Sequence, residues 1–143
     1  MQPAQRLFAL ILAMWFVLFA GQVIAETGKP PDPQAVARGG ILYGQYCESC
    51  HGKNGIGEPP IPWSIRLPGY YVAPALDDSQ HAWHHSDEDL ARVILEGSPR
   101  TPRMPAWKTA LSTQGAIDIV AYMKSLWGAR ALECQGPKHM SCM

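Results

Sequence analysis

The sequence predicts an all-α domain. Three observations carry this: no stretch alternates apolar and polar residues for long enough to build a sheet; segments opening at Ser86 and Ser112 pair a capping hydroxyl with apolar residues at helical spacing; and a third helical segment runs into the pentapeptide Cys47-Glu48-Ser49-Cys50-His51. No internal repeat is present.

Taken in chain order, residues 1 to 25 read as a secretion signal. Arg6 supplies the positive start, Leu7 to Gly21 is apolar, and Val23-Ile24-Ala25 offers small residues before a cut. Because residues 7–25 carry no charge, an uncleaved membrane anchor is the alternative. Cleavage after Ala25 would leave 118 of the 143 residues, one small domain. Without Arg6, the 12 basic residues become 11 against 12 acidic ones, a balance that suggests no nucleic-acid partner.

Residues 26–34 form a linker, stiffened by the three prolines of Gly28-Lys29-Pro30-Pro31-Asp32-Pro33, and the folded domain is expected over 35–128. Asp32 can cap a helix with Pro33 at its first position; Ala35, Val36, Ile41, Leu42 and Tyr43 continue it to the cysteines. Gly39 and Gly40 inside that helix cost roughly 1 kcal/mol each relative to alanine, so the pair calls for a reason such as a close helix crossing. From Gly52 to Pro74 the chain is rich in glycine and proline, with Trp63, Tyr70 and Tyr71 between them, and reads as a long ordered loop.

Ser86 then caps a helix whose first turn carries Asp87, Glu88 and Asp89, with Leu90, Val93 and Ile94 inside and Gly97 at its end. Ser112 opens the last helix, where Ile117, Ile119, Val120, Ala121, Met123, Leu126, Trp127 and the stem of Lys124 make a broad apolar face that Gly128 is expected to stop. Residues 129–143 are left as a tail rich in cysteine, histidine and methionine.

The chemistry follows from the pentapeptide. Two cysteines one helical turn apart can reach the two vinyl groups of a porphyrin, and the histidine that follows then lies under the iron; C-x-x-C-H therefore specifies one covalent haem c held by Cys47 and Cys50, with His51 as an axial ligand. A thioredoxin-like redox site would need a βαβ pattern, which is missing. A zinc site would need a second ligand pair in the folded domain. The fold expected is thus a small helical domain wrapped around that haem, the long loop packing on its face and offering a carbonyl to the His51 ring N–H. For the second axial position Met104 is the candidate. It lies in Ser98-Pro99-Arg100-Thr101-Pro102-Arg103-Met104-Pro105-Ala106-Trp107, where three prolines stiffen the loop, and a neutral thioether raises the potential.

Together C-E-S-C-H-G, M-P-A-W and L-S-x-x-x-x-x-D-I-V-A-Y-M-K-S-L-W resemble a bacterial class I cytochrome c domain over about Ala35 to Trp127. The resemblance implies ligation by His51 and Met104, thioethers at Cys47 and Cys50, and a crossing of the first and last helices near Gly39 or Gly40, Tyr43 and Tyr122. Gln114-Gly115 departs from the acidic residues usual early in the last helix.

Two clusters have double readings. His81, His84 and His85 can chelate a metal, replace an iron ligand, or simply sit in solvent before a helix start. In the tail, Cys134, His139, Met140 and Cys142 match copper(I), while outside the cytoplasm Cys134 and Cys142 would pair as a disulfide across the Gly136-Pro137 turn. Arg100, Arg103 and Lys108 flank the methionine loop and could form a basic rim that steers an acidic redox partner. The expected function is a one-electron carrier, not itself an enzyme, in the periplasm or anchored facing it and serving a redox protein. A copper-handling protein and a haem sensor or enzyme with an open iron site are the rivals.

Overall fold

The computed structural model describes residues 28–142; the signal or anchor segment expected at 1–25 lies outside them. Among the described residues the secondary structure is entirely helical. In chain order, α1 is Pro33–Tyr46, α2 Glu48–His51, α3 Asp87–Glu96, α4 Thr113–Ser125, α5 Ala129–Glu133 and α6 His139–Cys142, with 3₁₀ turns at Lys53–Gly55, Trp63–Ile65, Ala82–His84 and Gly136–Lys138. No described helix is long and apolar enough to cross a membrane.

The caps are those the sequence announces. The Asp32 carboxylate accepts from Ala35 N at 2.9 Å, Ser86 Oγ from Asp89 N at 3.1 Å, and Ser112 Oγ from Gly115 N at 3.1 Å. Gly97 closes α3 at a φ of 81°, and a Cβ there would meet the Met104 carbonyl oxygen at 2.9 Å.

The core is organised by the crossing of α1 over α4. A Cβ built on Gly39 would fall 1.8 Å from the Asp118 carbonyl oxygen, so only a glycine lets the two backbones meet there. Gly40 faces the Tyr122 ring, and Tyr43 packs against it with ring centroids 4.8 Å apart. Beneath the crossing lie Tyr43, Ala116, Ile119, Val120 and Met123, all buried. Ile41, by contrast, points outward at 66% exposure, because burial in α1 follows Gly39 and Tyr43 one turn apart. The departure at Gln114-Gly115 also has a physical reason. Gly115 is buried, with Leu42 only 3.3 Å from where its Cβ would be, and Gln114 Nε2 donates to Asp118 at 3.1 Å.

The last helix ends earlier than expected. Ser125 is its final residue, Leu126 caps it, and Gly128, rather than stopping it, opens α5 with its N–H on the Asp78 carboxylate at 2.8 Å. Trp127 therefore lies beyond the helix, buried, donating from Nε1 to the Leu76 carbonyl at 2.8 Å. Lys124 offers more than its stem, since its ammonium pairs with Asp87 at 2.8 Å and ties α4 to α3. Residues 129–142 pack onto the domain: Ala131, Leu132, Cys134 and Gln135 are buried, and Cys134 is joined to Cys142 in a disulfide.

Candidate haem centre

Cys47 terminates α1 and caps α2, so both cysteines and His51 stand within five residues on a single helical turn. Cys47 and Cys50 are free thiols; Cys47 is buried, and burial pushes its thiol up to about 11, with Cys50 adding to the shift. The backbone around them is closely tied. Cys50 N and His51 N both donate to the Cys47 carbonyl, Gly57 N donates to the His51 carbonyl at 2.7 Å, and the fully buried Tyr43 donates its hydroxyl to the Gly52 carbonyl at 2.7 Å.

The carbonyl facing His51 is that of Pro74, 2.9 Å from Nδ1. Nδ1 is then the protonated nitrogen and Nε2 the free donor, the tautomer that a metal-binding imidazole needs. Desolvation lowers the His51 pKa, which favours the neutral ring. Pro74 is held where it can do this because Leu76 N donates to the Gly55 carbonyl at 2.7 Å and the Leu76 carbonyl in turn accepts from Trp127.

Met104 lies in the loop after α3, partly buried against the core cluster that contains Cys47. Its carbonyl accepts from Ser98 N at 3.0 Å, and Trp107 N and Lys108 N return to the Ile94 and Leu95 carbonyls, so the loop is stapled to the end of α3. Trp107 packs on Tyr46, ring centroids 5.2 Å apart. The long loop presents Ile56, Ile65, Leu67 and Tyr71 at its surface. Two unpaired thiols one turn apart, an imidazole with its Nε2 free, and this apolar surface fit a covalently attached haem.

The pairing of Glu58 with Arg103 is not legible in the sequence. The guanidinium donates from Nη2 to Glu58 Oε1 at 2.6 Å and from Nη1 to Oε2 at 2.8 Å, and also reaches the Tyr71 carbonyl at 2.7 Å. Arg103 holds the Glu58 carboxyl down to about 2. Nothing in the local pattern marks this pair, since the partners are 45 residues apart. The basic rim is correspondingly narrower, because Arg103 is engaged and Arg100 lies over the Tyr71 ring at 5.5 Å.

The other clusters are placed plainly. His84 stacks on His139 of the tail, ring centroids 4.5 Å apart, with His81 at 6.1 Å. His139 Nδ1 is on the Gly136 carbonyl, Met140 is exposed, and the two tail sulfurs are bonded to each other, leaving no thiolate for copper. Among the described residues no group of three or more histidine, cysteine or acidic side chains is arranged to hold a metal ion.

The chain is 24% identical over 118 residues to the cbb3-type cytochrome c oxidase subunit CcoP of Azospirillum sp. (strain B510), and 26% identical over 109 residues to the FixP subunits of Sinorhizobium medicae (strain WSM419) and Rhizobium meliloti (strain 1021). In each case 76% of this chain aligns with 34% of the relative, so the chain spans about a third of the curated relatives it matches. No solved structure matches it. The profile of the family described as cytochrome c oxidase, cbb3-type, subunit III matches residues 34–123, and with the attachment motif and helical frame inside that span, the chain belongs to this family of c-type cytochromes.

Proposed function

We propose that this domain is a one-electron carrier in which Cys47 and Cys50 hold one haem c by thioethers and His51 and Met104 are its axial ligands. The observation that carries this reading is the His51 ring, oriented through Nδ1 by the Pro74 carbonyl and immediately following two unpaired cysteines. Such a haem supplies a reversible one-electron couple, and the neutral sulfur of Met104 favours its reduced form. The chain's own part is to hold the ligands still. The Pro74 carbonyl fixes the tautomer and basicity of His51, and the Ser98–Met104 backbone bond holds the stretch of chain that carries the Met104 side chain.

The relatives are named as oxidase subunits, so the partner proposed is a respiratory oxidase or a protein that feeds one, with the domain facing the periplasm. The domain carries the electron and the partner does the chemistry.

The test is the optical spectrum of the oxidised, haem-loaded protein. The wild type should show the weak sulfur-to-iron charge-transfer band, and Met104→Ala should abolish it and lower the potential. A wild type without the band, binding carbon monoxide rapidly when reduced, would instead have an open sixth position and overturn the carrier reading.

A further inference from the structure

Two segments must stay in register for the proposed ligands to face one iron. One is the neck of the long loop, where Pro74 orients His51; the other is the loop after α3, which carries Met104. The first has little regular structure of its own, only the 3₁₀ turns at Lys53–Gly55 and Trp63–Ile65 between Gly52 and Pro74. It is closed at its neck by Glu58. The Glu58 N–H donates to the Ala73 carbonyl at 2.9 Å, and Ala73 N donates back to the Glu58 carboxylate at 2.7 Å, one residue before Pro74.

Arg103 joins this neck to the other loop. Its guanidinium is bidentate on Glu58, reaches the Tyr71 carbonyl, and lies 4.5 Å over the Tyr70 ring. Its own backbone N–H is on Thr101 Oγ1 at 3.3 Å, and the next residue is Met104, whose carbonyl is held by Ser98 N. A planar fork with its donors committed to a carboxylate and a carbonyl defines position and orientation, which a lysine ammonium cannot do.

We propose that Glu58 and Arg103 are positioning residues for the iron ligands: their ion pair is a strut that locks the His51-orienting neck to the Met104 loop and so keeps the sulfur on the iron. This rests on the reading of Met104 as a ligand. The pair acts across the site rather than on the iron, and its loss should loosen the methionine more than it loosens the fold, because the hydrogen bonds of Glu58 and Arg103 run to each other and to Tyr71, Ala73 and Thr101, all within these two loops.

The experiment uses the full-length haem-loaded protein as wild type, Glu58→Gln, Arg103→Gln and Arg103→Lys. Imidazole, which competes for the methionine's place on ferric iron, is titrated optically, and the sulfur band and thermal midpoint are recorded alongside. The expected result is a wild type with the band, imidazole binding about tenfold tighter or more in Glu58→Gln and Arg103→Gln, the size expected from losing one charged hydrogen bond, and an intermediate effect in Arg103→Lys. Arg103→Lys keeps the charge and supplies the measurement should the glutamine variants fail to fold. Variants that lose thermal stability while keeping wild-type imidazole affinity would overturn the strut, the pair then serving the fold alone. A wild type without the band would overturn the Met104 reading and, with it, the strut; a band with unchanged affinity in the variants overturns the strut alone.

Discussion

Tyr43 shows how one side chain serves both the core and the turn that carries Cys47, Cys50 and His51. Its ring is fully buried against Tyr122 and its hydroxyl donates to the Gly52 carbonyl, directly after His51. Removing the hydroxyl leaves the partly buried Gly52 carbonyl with the Gly55 N–H, at 3.1 Å, as its remaining donor. Tyr43→Phe should therefore cost about 0.5–1.5 kcal/mol in denaturant unfolding, the net worth of one hydrogen bond, with the core unchanged; no measurable loss would mean that the Gly55 N–H alone satisfies the carbonyl. The sequence marks Tyr43 as a helix-face residue, yet its acceptor lies nine residues away across the turn, where helical periodicity carries no information.

At the scale of elements, the α1–α4 crossing does most to shape the domain. The glycine pair raised a question in the sequence, and the backbone contact at Asp118 answers it for Gly39, while Gly40 makes room for Tyr122. The same crossing is stitched by Arg38, bidentate on the 3%-exposed Asp118 at 2.7 and 2.9 Å. Gly39→Ala should destabilise the protein by about 3 kcal/mol or more, at or above the upper end of overpacking costs, because the added methyl meets backbone rather than a side chain that can turn away. Gly44→Ala, whose Cβ would have only the Glu48 carboxylate at 4.0 Å, is the control and should be neutral or stabilising. Equal effects of the two would refute the close-approach account.

For the molecule as a whole, the tail completes the domain. Its His139 stacks on His84, Gln135 donates to the His85 carbonyl at 3.1 Å and to Asp87 at 2.6 Å, and the disulfide closes the loop that holds these contacts. Burial lowers the His84 pKa, with His139, His81 and His85 adding to the shift, while Asp89 is the carboxylate facing His85. A depressed imidazole favours the fold when neutral. Its contribution is therefore complete above the ordinary histidine pKa of about 6.5 and is lost as pH falls below it, since the unfolded chain takes the proton more readily. Thermal midpoints should accordingly decline as pH is lowered from 7 to 5, and His84→Phe should flatten that slope; an unchanged slope would show that the stack does not hold the tail.

Much of this protein is local and was determined by the sequence itself. Helix starts at Asp32, Ser86 and Ser112 are set by side chains bonding to amides three residues on, and C-x-x-C-H specifies its cofactor through the pitch of one helical turn. What tertiary structure alone decided is which distant groups meet. Arg38 finds Asp118 80 residues on, Arg103 finds Glu58 45 residues back, and Pro74 rather than any other carbonyl of the long loop faces His51. Those choices depend on how closely two backbones approach and on which donors burial leaves in need of partners, and neither is written in the spacing of residues along the chain.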